Sequence, residues 1–297
     1  MKEQRMKLDI RFRKGDKGKP LIVFIHGLGM NAGFWADPAR ARVLGGRYPL
    51  SALLGKDIEM RTPYQDLEGL GFGVLTWTQS RPAGPIAVAV RELRQILKEH
   101  PECAREGVLF ICHSRGGLVA RKYLEAGADT TRAVITISTP HGGTSLAKWA
   151  VFMSPLATAA TRFLKNFDTR ETDTAFRKIL RFLESSGLKE LLPTSDFYKG
   201  LRDEKAKGVK YVSIGGTDPN LLKALALPLP QLLASVVPEK MFPEEMRDGR
   251  GDGLVSAASS VLSYAAEHRN FPSNHASIIF DKGVREYILA TVKSICG

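Results

Sequence analysis

Cysteine is scarce. Cys103, Cys112 and Cys296 are the only three in 297 residues. Their odd number and lack of C-x-x-C spacing exclude a disulfide framework and a cysteine-based zinc site, and suit a reducing compartment. Long apolar runs are missing too, so nothing reaches the ~20 residues a membrane-spanning helix needs. Met1 to Ile10 are rich in charge and carry no apolar leader core, so the expected location is cytoplasmic, with export by another route left open. No internal repeat, low-complexity linker or calcium-type acidic cluster is present. What remains is ordinary soluble composition in a chain long enough for one large domain with insertions.

Charge is unbalanced instead. The formal net charge is +12, and before Leu21 the residues Lys2, Arg5, Lys7, Arg11, Arg13, Lys14, Lys17 and Lys19 outnumber Glu3, Asp9 and Asp16. These charges alternate with Leu8, Ile10 and Phe12, the pattern of an edge strand kept from pairing by its own charge. Transient attraction to a lipid or other anionic surface is the second reading. No nucleic-acid motif accompanies the charge, so no nucleic-acid partner is expected. Oligomeric state has no signature.

Strand and helix patterns alternate along the chain. Apolar runs at Pro20–Ile25, Gly71–Trp77, Val108–Ile111, Arg132–Ser138 and Gly208–Ile214 predict buried strands, while Ile86 to His100 and Val284 to Cys296 carry helical spacing. That alternation predicts an α/β fold, a mostly parallel central sheet flanked by helices. The rhythm breaks between residues 145 and 207. Trp149, Phe152, Met153, Phe163, Leu164 and Phe167 make the start of this stretch rich in large apolar groups. A second apolar insert lies within 220–247, where Pro228 and Pro230 interrupt Leu221–Leu233. The expected organisation is a core of 1–144 and 208–297 with a helical cap or lid at 145–207.

One junction organises the rest. Val108–Ile111 leads through Cys112-His-Ser-Arg-Gly116 into the helical pattern at Leu118, Val119, Tyr123 and Leu124. A strand that becomes a helix in so few residues must turn sharply, with small neighbours where the backbones pass close. Ser114 stands at the tip. The segment resembles the nucleophile elbow of lipases and esterases of the α/β-hydrolase family, with Cys112 in place of the first glycine of G-x-S-x-G.

A serine hydroxyl needs a base, and the base needs an orienting acid, found downstream in this order in that family. Asp252, in Gly251-Asp-Gly-Leu-Val-Ser256, resembles the Asp-Gly-x-Val turn of bacterial lipases and of the GPI-inositol-deacylase-like group. Asp218 is the rival acid, and either could simply satisfy its own loop amides. His275, in Asn274-His-Ala-Ser277, resembles the family's Asn-His loop and is the expected base; His268 is the alternative. His26, His113, His141 and His100 have local structural explanations. The resemblance implies oxyanion donors at the backbone N–H groups of Leu28, after His26-Gly27, and of Arg115. The Arg115 side chain is expected to face out, or to reach a cap carboxylate or the substrate.

The implied activity is hydrolysis of carboxylic esters through an acyl-enzyme, on a lipid or other small-molecule ester with an apolar acyl chain. No metal or organic cofactor is expected. An acyltransferase or thioesterase with the same triad, or a catalytically silent hydrolase fold that only binds, are the alternatives.

Overall fold

A computed structural model describes residues 8–43, 48–50, 54, 58–101, 105–127, 130–145, 185–221 and 242–297. Trp149, Phe152, Met153, Phe163, Leu164, Phe167, Cys103 and nearly all of Leu221–Leu233 lie outside them. In chain order the strands are β1 (Ile10–Arg13), β2 (Leu21–Ile25), β3 (Arg42–Val43), β4 (Tyr48–Pro49), β5 (Gly73–Trp77), β6 (Val108–His113), β7 (Thr131–Ile137), β8 (Lys210–Gly216) and β9 (Glu267–Phe271). The helices are α1 (Gly33–Ala36), α2 (Pro63–Gly69), α3 (Ile86–Glu99), α4 (Arg115–Leu124), α5 (Ser186–Lys189), α6 (Asp196–Lys199), α7 (Ala257–Ser260) and α8 (Lys282–Cys296).

Among the described residues seven strands form one sheet in the order β1-β5-β2-β6-β7-β8-β9. Only β1 runs antiparallel, against β5; every other pairing is parallel. Because parallel sheets are covered on both faces, their strands read as unbroken apolar runs, and β2, β5 and β6 are buried at every position. Alternate residues feed two cores. Val23, Ile25, Phe110 and Cys112 pack with Leu93 and Ile96 of α3 and Leu118 and Val119 of α4. Ile22, Phe24, Leu109 and Ile111 pack with Leu67 of α2 and Val284, Ile288 and Val292 of α8. This is the expected α/β architecture.

Differences from expectation are local. The strand expected to stop at Ile111 continues to His113, because β7 pairs with it through Ile137. The last strand, β9, carries Asn270 and ends at Phe271. That strand reads Glu-His-Arg-Asn-Phe and is mostly exposed, a polar edge recruited by pairing with β8. Within the expected cap, the described part contains α5 and α6, and Leu188 and Leu191 pack into the first core. Among the described residues no helix is long and apolar enough to cross a membrane.

Candidate active site

The elbow sits where β6 ends. Ser114 has φ 54° and ψ −129°, a left-handed conformation that costs a non-glycine residue about 1–3 kcal/mol and persists only where neighbours enforce it. Here they do. Its N–H donates to the Ile137 carbonyl at 2.8 Å, and its carbonyl accepts Thr139 Oγ1 at 2.8 Å and the Gly117 N–H at 3.1 Å. Gly116 is required by close approach: a Cβ there would lie 2.4 Å from the Ile25 carbonyl oxygen. Cys112 replaces a glycine without difficulty, since it is an ordinary strand residue in register with Ile25 and Thr136. Burial pushes its thiol pKa well up, which leaves it unreactive.

Asp252 and His275 come together in the loops beyond β8 and β9. Asp252 Oδ1 accepts the N–H groups of Leu254 at 3.0 Å and Val255 at 2.7 Å. Its Oδ2 meets His275 Nδ1 at 2.9 Å. The carboxylate thus satisfies its own loop and orients the imidazole at once. A carboxylate only accepts, so Nδ1 carries the proton and Nε2 offers its lone pair. Among the described residues neither Nε2 nor the Ser114 hydroxyl has a hydrogen-bond partner. Catalytic hydrogen bonds are often long before substrate arrives and tighten in the complex.

His113 lies between the two halves. Its ring packs 4.8 Å from that of His275, and its Nε2–H donates to the His275 carbonyl at 2.9 Å. A Cβ on Gly27 would sit 3.0 Å from Ser114 Cβ and 3.2 Å from His113 Nδ1, so the turn after β2 presses against the serine and its neighbour. Burial, then the neighbouring His275, holds the His113 pKa well below its ordinary value. It is a neutral spacer.

The rival residues are occupied elsewhere. Asp218 Oδ1 accepts the backbone N–H and the Nδ2–H of Asn220 at 3.1 and 2.9 Å. His268, on β9, bonds Ser213 Oγ at 2.8 Å and Asn270 Oδ1 at 3.1 Å. His141 is buried between Thr136 Oγ1 at 3.1 Å and the Arg121 guanidinium at 3.4 Å. The His100 ring packs against Phe12. His26 accepts the Gln79 N–H at Nε2, 3.4 Å, and donates from Nδ1 to the Gly27 carbonyl at 2.9 Å. Burial lowers its pKa to about 4.

Leu28 follows the pressed turn, and Arg115 opens α4, where first-turn N–H groups have no partner inside the helix. Neither backbone N–H finds an acceptor among the described residues. The Arg115 side chain corrects the expectation that it faces out. It is 0 % exposed and donates to the Gly84 carbonyl at 2.8 Å, the Pro82 carbonyl at 3.3 Å and Gln79 Oε1. The loop after β5 supplies enough acceptors to bury a guanidinium, which sequence position alone does not reveal.

Sequence reasoning also missed Glu245. Its carboxylate accepts the Ser145 N–H at 2.7 Å, Ser145 Oγ at 2.9 Å and Thr144 Oγ1 at 3.2 Å. Its carbonyl accepts the Gly253 N–H at 2.8 Å, beside the acid. No local pattern marks this glutamate, since its partners are about a hundred residues away.

Residues 22–276 match the sequence model of the alpha/beta hydrolase family. The chain belongs to the α/β-hydrolase family. Comparison with curated protein sequences gives no match. A Bacillus licheniformis lipase in its propeptide form aligns with a TM-score of 0.58 at 17 % identity over 95 % of this chain. The chain spans 53 % of that form's length, and 97 % of the mature form, with a TM-score of 0.53 at 18 % identity. A carboxyl esterase of metagenomic origin aligns with a TM-score of 0.57 at 15 % identity, over 95 % of this chain and 77 % of its own. At these identities the likeness concerns the fold, and within this hydrolase family the chemistry rests on the residues themselves.

Proposed function

We propose that this chain hydrolyses carboxylic esters through Ser114, His275 and Asp252. The observation that carries this is the Nδ1–Oδ2 pairing of His275 with Asp252 at 2.9 Å, taken with a serine held at φ 54° on a strand-to-helix turn. Nε2 of His275 takes the Ser114 proton as Oγ attacks the ester carbonyl. Asp252 stabilises the imidazolium, and the N–H groups of Leu28 and Arg115 receive the oxyanion. The tetrahedral intermediate collapses, the alcohol leaves with the proton from His275, and Ser114 carries the acyl group. Water then repeats the attack with the same base, releasing the acid and the free serine. Oxyanion donors of this kind are worth about 3–4 kcal/mol each.

The finer reading is a lipase-like preference for apolar acyl chains, within the lipase group resembling GPI-inositol deacylases. Its support is the composition of the 145–207 insert, the proposed cap over the core of 1–144 and 208–297, and of the second insert. The test has two arms. A fluorophosphonate probe should label Ser114 in the native protein and leave Ser114→Ala unlabelled. Hydrolysis of p-nitrophenyl esters across short and long acyl chains should then favour the longer ones; preference for acetate would sink the lipid reading while sparing the esterase.

A further inference from the structure

We infer that the Arg115 guanidinium is a positioning group that ties the two oxyanion donors to each other through the loop after β5. This rests on the esterase reading above. Arg115 provides one donor with its own N–H, and its side chain then reaches away from the serine into residues 79–84. The other donor, Leu28, sits between His26 and Gly29, and both of these are gripped by the same loop. Gly29 N–H donates to the Pro82 carbonyl at 2.9 Å. That same oxygen accepts the Arg115 guanidinium at 3.3 Å. Gln79 repeats the link: its Oε1 accepts Arg115, while its N–H and Nε2–H go to His26 Nε2 and the His26 carbonyl, each at 3.4 Å.

Arg115, Gln79, His26, Gly29 and Gly84 are buried and Pro82 is half-buried, so water competes little for most of these bonds. Gln79 is 1 % and His26 1 % exposed. The loop itself is held from behind. Glu92, also buried, accepts Trp77 Nε1–H at 3.0 Å and the Ser80 N–H at 3.2 Å, and Gly187 N–H donates to the Ala83 carbonyl at 3.0 Å. The guanidinium forms no ion pair among the described residues. Its hydrogen-bond acceptors are neutral, while Glu92 and Glu190 attract it electrostatically. A planar fork that reaches three separate oxygens is something lysine cannot reproduce with one ammonium. Stabilisation of an oxyanion requires donors fixed beforehand, and displacement by about 1 Å can cost a hundredfold in rate.

The experiment compares Arg115→Met, Gln79→Ala and the double variant with the wild type, using p-nitrophenyl ester turnover and a trifluoromethyl ketone. The ketone takes up Ser114 Oγ as a hemiketal, whose oxyanion needs both donors. Both single variants should lower kcat about tenfold to a hundredfold, change KM by less than about threefold, and weaken ketone affinity by the same factor as kcat. The double variant should be no worse than the weaker single, because both cut one bridge. Arg115→Lys should recover only part of the loss. Folded Arg115→Met with wild-type kcat and ketone affinity would overturn the inference, as would losses that multiply in the double variant. If Arg115→Met does not fold, Gln79→Ala decides alone, and unchanged kcat there overturns it. A wild type inert to both ester and ketone would instead remove the esterase reading, and the inference with it.

Discussion

His275 is fastened to Asp252 twice, by its backbone N–H on the Asp252 carbonyl at 2.9 Å and by Nδ1 on the carboxylate at 2.9 Å. The two loops are therefore tied to each other, and the tautomer of the imidazole follows from the carboxylate. Asp252→Asn should reduce kcat on p-nitrophenyl esters by about 10⁴, because an amide can present its N–H to Nδ1 and reverse the tautomer. Asp218→Asn should stay within about threefold of wild type. Equal losses in the two variants would reopen the choice of acid.

Removing the proposed nucleophile or base should be as damaging. Ser114→Ala and His275→Ala are each expected to lose at least about 10³-fold in kcat/KM, and the pair together no more than the worse single, since they act as a unit. His268→Ala should retain most activity, its partners being Ser213 and Asn270. Near wild-type turnover in His275→Ala would refute the base assignment.

Acid should weaken the fold through its buried histidines. His26, His113 and His141 all have pKa values lowered by burial, His26 to about 4, whereas in the unfolded chain each titrates near ~6.5. Below that value the unfolded state binds more protons, so stability present above it is lost as pH falls toward the folded pKa. For His26 the loss accumulates between about pH 6.5 and 4, at up to ~1.4 kcal/mol per pH unit. Urea midpoints taken at pH 7.5, 6 and 5 should fall steadily; a flat series would contradict neutral burial.

Gly116→Ala tests the elbow's close approach. The added Cβ would meet the Ile25 carbonyl at 2.4 Å, and forcing the helix off the strand should cost about 1–3 kcal/mol or more. Gly142→Ala is the control, with its nearest contact at 3.6 Å. Thermal midpoints should separate the two by several degrees, and the elbow variant should lose activity as Ser114 shifts.

Much of this was legible in the residues. Val108–Ile111 and Leu21–Ile25 read as buried strands because parallel pairing leaves no polar face. Ser114 and Asp252 sit in glycine-bearing segments that must turn, whereas His275 stands out only through the resemblance of its Asn-His loop. What stayed hidden depends on distant partners. Arg115 reads as exposed because an arginine is seldom buried without acceptors, and its acceptors come from residues 79–84. Glu245 and Gln79 look like any polar residue until the sheet brings their partners alongside. The segment around His268 reads as strand, and β9 runs through it, but without apolar alternation its end at Phe271 is set by pairing with β8.

Glu245 joins two things that could have been separate. Its carboxylate holds Thr144 and Ser145, and its backbone carbonyl takes the Gly253 N–H next to Asp252. A substitution at Thr144 or Ser145 therefore bears on the loop of Asp252. Evolutionary lengthening or replacement of the chain that follows Ser145 must keep this rivet, or resettle the Asp252–His275 pair along with it.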